Sequence, residues 1–216
     1  MQIVDLSPDH AATAAHLHIA GQPGTFLTSL GQDVLTVLYQ SLPQTSVGFG
    51  YVATVDEPAS RAQHRSNPSS VIGFVAATTS TGRLFLDLGT RHLVRFLPPL
   101  FHRLRQRPRL LLQLMQTALY PILQDNNEHG SGNSTPAAEL LAIMVEPTQR
   151  NQQIGSQLLA QLVAACQSRN IATIDVTVDA NNVGACRFYE HHGFRRQHAF
   201  PLYGRTMYQY RREITT

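Results

Sequence analysis

The stretch ELLAIMVEPTQRNQQIGS, running from Glu139 to Ser156, decides the fold. Residues 139–145 are almost continuously apolar, as expected of a central strand covered on both faces. Pro147 ends the pairing, a tight turn follows, and from Gln153 an amphipathic helix runs to Ser168. Its apolar stripe is Ile154, Leu158, Leu159, Leu162, Val163 and Cys166, a helical spacing. The first amides of such a helix have no intrahelical partner, and the helix dipole puts partial positive charge there. A pyrophosphate fits this place, Arg150 adds a charge-assisted bond, and Gly155 lets a ligand approach the backbone. The same pattern also describes a plain strand-turn-helix connection whose glycine eases packing.

Working outward, residues 174–178 alternate apolar with polar and predict a half-buried strand. Residues 182–192 predict a helix that Asn182 caps and Gly193 ends. Residues 194–200 and 205–211 make closing strands. Toward the N-terminus, 2–6 is an opening strand, and Ser7-Pro8-Asp9 starts a helix through His18. Leu30, Val34, Leu35, Leu38 and Leu42 predict a second helix over 28–42, stopped by Pro43. Strands follow at 49–55 and 71–79, with an exposed Pro-, Ser- and Arg-rich loop between them. A helical, basic insertion occupies about 83–123, and a mobile loop about 124–136. This order predicts an α/β chain, one domain over 1–216, with helices on both sides of a mixed sheet.

Composition sets outer limits. Of 216 residues 43% are hydrophobic and 14% charged, which is globular and large enough for a substantial core. The basic balance rests on arginine alone, since the chain has no lysine, and a net charge of +3 is too small for a nucleic-acid binder. Cys166 and Cys186 have no metal-ligand or Cys-x-x-Cys spacing, so both read as reduced core thiols. His92 and His102 lack partners at a metal spacing, so no metal is assigned. The N-terminus has no apolar signal region, and the stretch 110–123 is too short to span a bilayer. The chain therefore reads as cytoplasmic, with no stable membrane insertion.

A second motif lies further on: NVGACRFYEHHGF, from Asn182 to Phe194. Asn182 can cap the helix and offer its amide to a ligand, Ala185 is small, and Phe188 and Phe194 face the core. The two motifs together resemble the GCN5-related N-acetyltransferase (GNAT) superfamily. Val145, Pro147, Arg150 and Gly155 match its Val-x-Pro-x-x-(Arg/Gln) turn in register, while Asn151 and Gln153 stand where glycines are usual. Asn182, Ala185, Phe188, Tyr189, Gly193 and Phe194 match its second motif.

The resemblance implies the acyl-CoA N-acyltransferase fold, a mostly antiparallel sheet flanked by helices. It implies acetyl-CoA as cosubstrate and a small-molecule amine as acceptor, an amino sugar among the candidates. It places the cofactor on Arg150, Asn151, Gln153, Gly155, Ser156 and Asn182, with backbone amides around Ile143 and Val145 on the pantetheine arm or the thioester oxygen. Tyr189 becomes the general acid and Glu139, six residues before Val145, the base. A non-catalytic acyl-CoA sensor of the same fold is the alternative. Arg91, Arg95, Arg103, Arg105, Arg107 and Arg109 suit an anionic acceptor, a membrane or second-subunit contact, or a solvated helix face. A homodimer stays open.

Overall fold

In the computed structural model the described residues are 1–56, 69–91, 93–106 and 136–214. Seven strands form one sheet: β1 (Gln2–Asp5), β2 (Gly48–Asp56), β3 (Ser69–Thr78), β4 (Ala137–Val145), β5 (Thr173–Asp179), β6 (Arg195–Leu202) and β7 (Arg205–Glu213). Their spatial order is β1-β2-β3-β4-β5-β7-β6. Every pairing is antiparallel except β4 with β5. A parallel pair needs a long crossover, supplied here by α6 (Ile154–Ser168). The remaining helices are α1 (Ala11–Gly21), α2 (Phe26–Leu30), α3 (Gln32–Ser41), α4 (Thr81–Thr90), α5 (Leu93–Gln106) and α7 (Val183–His191).

Two apolar cores sandwich the sheet, giving the three layers that the element order predicts. On one face Leu158, Leu159, Leu162 and Cys166 of α6 and Tyr189 of α7 pack on Val75, Leu140, Ile174, Val176 and Tyr210. On the other, Ala11, Ala14, Ala15 and Leu17 of α1 join Leu35 and Tyr39 of α3 over Val52, Phe74, Ala142 and Met144. Losing one such leucine, as in Leu159→Ala, costs about 2–5 kcal/mol. Both cysteines are free and buried, and burial pushes the Cys166 thiol up to about 11.

The predicted helix over 28–42 is two helices, because Gly31 breaks it with φ +88°. Helical spacing alone registers the leucines and misses one left-handed residue between them. The predicted helix after Pro8 starts as a 3-10 turn over Pro8–His10 and becomes α1 afterwards. The basic insertion is α4 and α5 as far as Gln106. Its continuation, the 124–136 loop up to residue 135 and the 57–68 part of the earlier loop lie outside the described residues.

Candidate active site

β4 and β5 pair only over Ala137–Glu139 and Thr173–Asp175, then part. A β-bulge sits just past that point: Ala77 of β3 pairs with Leu140 and Ala76 with Ala142, leaving Leu141 unpaired. Beyond the bulge the amide of Glu146 donates to the Ile72 carbonyl of β3 at 2.8 Å. Strand amides alternate sides, so those of Ile143 and Val145 turn toward β5, where β5 no longer pairs. The two amides thus line the mouth of a wedge between parallel strands.

At the head of the wedge is the turn into α6. Asn151 and Gln153, the two departures from glycine, both adopt left-handed conformations, with φ +65° and +61°. Gln153 keeps the backbone shape a glycine would take, as the N-cap of α6. Left-handed residues within such a turn converge backbone amides into an anion-binding concavity, and Ile154, Gly155 and Ser156 are the free first amides of the helix. The exposed Arg150 donates from Nε to the Val145 carbonyl at 3.4 Å. A Cβ on Gly155 would meet the Phe188 ring of α7 at 3.4 Å, an ordinary contact distance. Ser156 Oγ is 3.0 Å from His192 Nε2, while His192 Nδ1 is 2.7 Å from the Phe188 carbonyl. A carbonyl only accepts, so Nδ1 carries a proton and, in the neutral ring, Nε2 accepts from Ser156. Asn182 caps α7, its side chain accepting from the Ala185 amide at 3.1 Å while its backbone donates to the Asp179 carbonyl and accepts from the Cys186 amide.

Tyr189 is buried between Phe188 and Phe194, edge-on to both rings at 5.4 and 5.2 Å. Its hydroxyl makes no hydrogen bond among the described residues, and burial raises its pKa well above the usual phenol value. It therefore holds its proton at any working pH.

Glu139 is the last β4 residue before the strands part, and its side chain emerges on the sheet face opposite Tyr189. Directly opposite residues at this level are Thr78 on β3, Glu139, Asp175 on β5 and Arg211 on β7. Arg211 grips Asp175 with two bonds, 2.7 and 2.8 Å, while Glu139 takes a hydrogen bond from the Thr81 hydroxyl. Burial pushes the Glu139 carboxyl up from its ordinary value; the Thr81 bond opposes the shift and the Asp175 charge adds to it. The sequence does not signal Thr81, Asp175 or Arg211. The alternation in residues 173–179 sets Asp175 on a polar face, but nothing in it tells that this face opens on Glu139. His191 is exposed at the end of α7, away from these groups in sequence and element. Among the described residues no cluster of His, Cys, Asp and Glu is placed to hold a metal, and no helix is long and apolar enough to cross a membrane.

The acetyltransferase (GNAT) family model matches residues 117–194. Mycothiol acetyltransferase of Kocuria rhizophila is 32% identical over 74 residues, a stretch covering 34% of this chain but only 24% of that protein. Among solved structures, NAA60 of Arabidopsis thaliana in complex with acetyl-CoA superposes with a TM-score of 0.58 at 14% identity, over 99% of this chain and 98% of that one. A GNAT-family acetyltransferase of Staphylococcus aureus gives a TM-score of 0.56 at 15% identity, over 99% of each chain. At these identities the likeness is one of fold.

Proposed function

Because this chain belongs to the GNAT acetyltransferase superfamily, we propose that it transfers an acetyl group from acetyl-CoA directly to the amine of a small molecule, in a ternary complex. The observation that carries this reading is the wedge itself. Two unpaired β4 amides, a left-handed turn and the free amides of α6 follow one another along the chain from Glu139 to Ser156.

The residues present fit the cosubstrate. The amides of Ile154, Gly155 and Ser156, with Asn151, Gln153 and Arg150, would hold the pyrophosphate, and Asn182 would face it from α7. The amides of Ile143 and Val145 would hold the pantetheine arm or polarise the thioester oxygen. When bound, acetyl-CoA supplies an activated acyl group: the amine nitrogen forms a bond to the acyl carbon, the carbon–sulfur bond breaks, and amide and CoA are the products. Glu139 takes the proton that the amine loses, and the burial that raises its pKa makes it a stronger base than an ordinary carboxylate. Tyr189 gives its proton to the departing sulfur. The two then re-equilibrate through solvent, so the enzyme ends as it began.

A catalytic reading is favoured over a sensor because Glu139 lies at the apex of the wedge, with a hydroxyl partner and no salt-bridged cation among the described residues. Release of CoA in the presence of a primary-amine panel tests it. Native protein should turn over, and Glu139→Gln should lose about 10²–10⁴-fold in kcat. No turnover with any amine would return the chain to a binding role.

A further inference from the structure

On the Glu139 side of the sheet is a recess of about 240 Å³, lined by Thr78, Thr79, Ser80, Thr81, Ala137, Ala138, Glu139, Asp175, Thr177 and Gln209. Its chemistry is one-sided. Among the described residues the lining holds two carboxylates and no Arg or His, and the Asp175 charge is already matched by Arg211. An ionised Glu139 therefore leaves the recess one negative charge in excess. Thr78 and Thr81 have their hydroxyls engaged, with the Ser80 backbone and with Glu139.

Gln209 is the unexplained member. It stands opposite Thr177 on β7, only 9% exposed, and its Oε1 is wholly buried with no hydrogen-bond partner among the described residues. A buried carbonyl oxygen without a donor is rare in folded proteins, because it has given up water for nothing. Gln209 lines an open recess, so a turn of its amide brings Oε1 to a donor carried by a molecule entering that recess. A carboxylate or phosphate would face the Glu139 charge with no cationic side chain among the described lining residues to offset it.

We propose that this recess is the acceptor subsite and selects a primary amine that carries a second hydrogen-bond donor, an amine or hydroxyl, and no anionic group near the reacting nitrogen. Gln209 is its specificity-determining residue: Oε1 accepts from the second donor while Glu139 faces the reacting nitrogen. Diamines, amino alcohols and uncharged amino sugars belong to this class; amino acids and phosphorylated amines do not. The inference rests on the acetyltransferase reading above and narrows its acceptor.

Three amines of one length separate the terms: 1,3-diaminopropane has a second donor, propylamine has none, and β-alanine has an anion. Native protein should rank them in that order by kcat/KM, with diaminopropane at least tenfold above β-alanine. Gln209→Leu should raise KM for diaminopropane about tenfold, to the propylamine level, and leave KM for acetyl-CoA unchanged. Gln209→Glu, of the same shape, should keep or widen the preference for diaminopropane. A β-alanine preference, or a Gln209→Leu loss equal for all three amines, would overturn the proposal while acetyl transfer itself stood. Failure of native protein to bind CoA by calorimetry would instead overturn the acetyltransferase reading, and this inference with it.

Discussion

Glu139 and Asp175 are directly opposite at the last paired level of β4 and β5, and Arg211 of β7 grips Asp175 from its far side with two bonds. Burial first, and then the Asp175 charge, keep the Glu139 carboxyl above its ordinary range at the point where the strands part.

The first consequence is a pH dependence. The base acts deprotonated, so kcat/KM should fall as pH drops through the Glu139 pKa, which lies above the usual carboxylate value. Asp175→Asn removes a like charge and frees Arg211, so the acid limb should move to lower pH. Thr81→Val removes the hydroxyl that favours the carboxylate, so the limb should move up. Profiles of the three proteins check this, and shifts of reversed sign would contradict it.

Tyr189 is buried, keeps its proton and has no hydrogen-bond partner among the described residues, as suits an acid that waits for one. Tyr189→Phe should lower kcat about 10²–10⁴-fold and leave CoA affinity nearly unchanged. An unaltered kcat would make Tyr189 a core residue only.

Gln153 holds φ +61°, a conformation that costs a side-chain-bearing residue roughly 1–2 kcal/mol. Gln153→Gly should therefore stabilise the protein by about 0.5–1 kcal/mol, the gain being reduced by glycine's greater freedom when unfolded. Gln153→Val, β-branched at the same place, should destabilise it. Urea midpoints of the three proteins decide the matter, and a less stable glycine variant would refute the strain argument.

In the second core His18 is buried, with Nδ1 2.6 Å from the Tyr39 hydroxyl and Nε2 unpartnered among the described residues. Burial pushes its pKa from 6.5 down to about 4, so the folded state resists protonation that the unfolded state accepts. Stability is then complete above pH 6.5 and falls as pH drops toward 4, by up to about 3 kcal/mol. In His18→Gln most of that loss between pH 7 and pH 4 should vanish; denaturation at both pH values tests it.

How far the sequence spoke depends on whether a feature is local. The β4-turn-α6 segment and the α7 motif announce themselves because strand, proline stop, cap and amphipathic stripe are contiguous, and they sit where the reading sets them. Asn151 and Gln153 were legible as departures, and asparagine tolerates a left-handed backbone, but that Gln153 takes it too was not legible. The Glu139 surroundings were not legible. Thr81 lies 58 residues away, and Asp175, Gln209 and Arg211 reach the site only through strand register. The Leu141 bulge, which switches the face of β4 midway, leaves no mark in an unbroken apolar run.

The central claim is that CoA lies along the wedge from Ile143 to the start of α6. Amide NMR of the isotope-labelled protein, titrated with CoA, tests it without perturbing the site. The largest shifts should fall on Ile143, Val145, Ile154, Gly155 and Ser156, with smaller ones at Asn182. Saturable binding whose shifts cluster elsewhere, with these amides unmoved, would contradict the account.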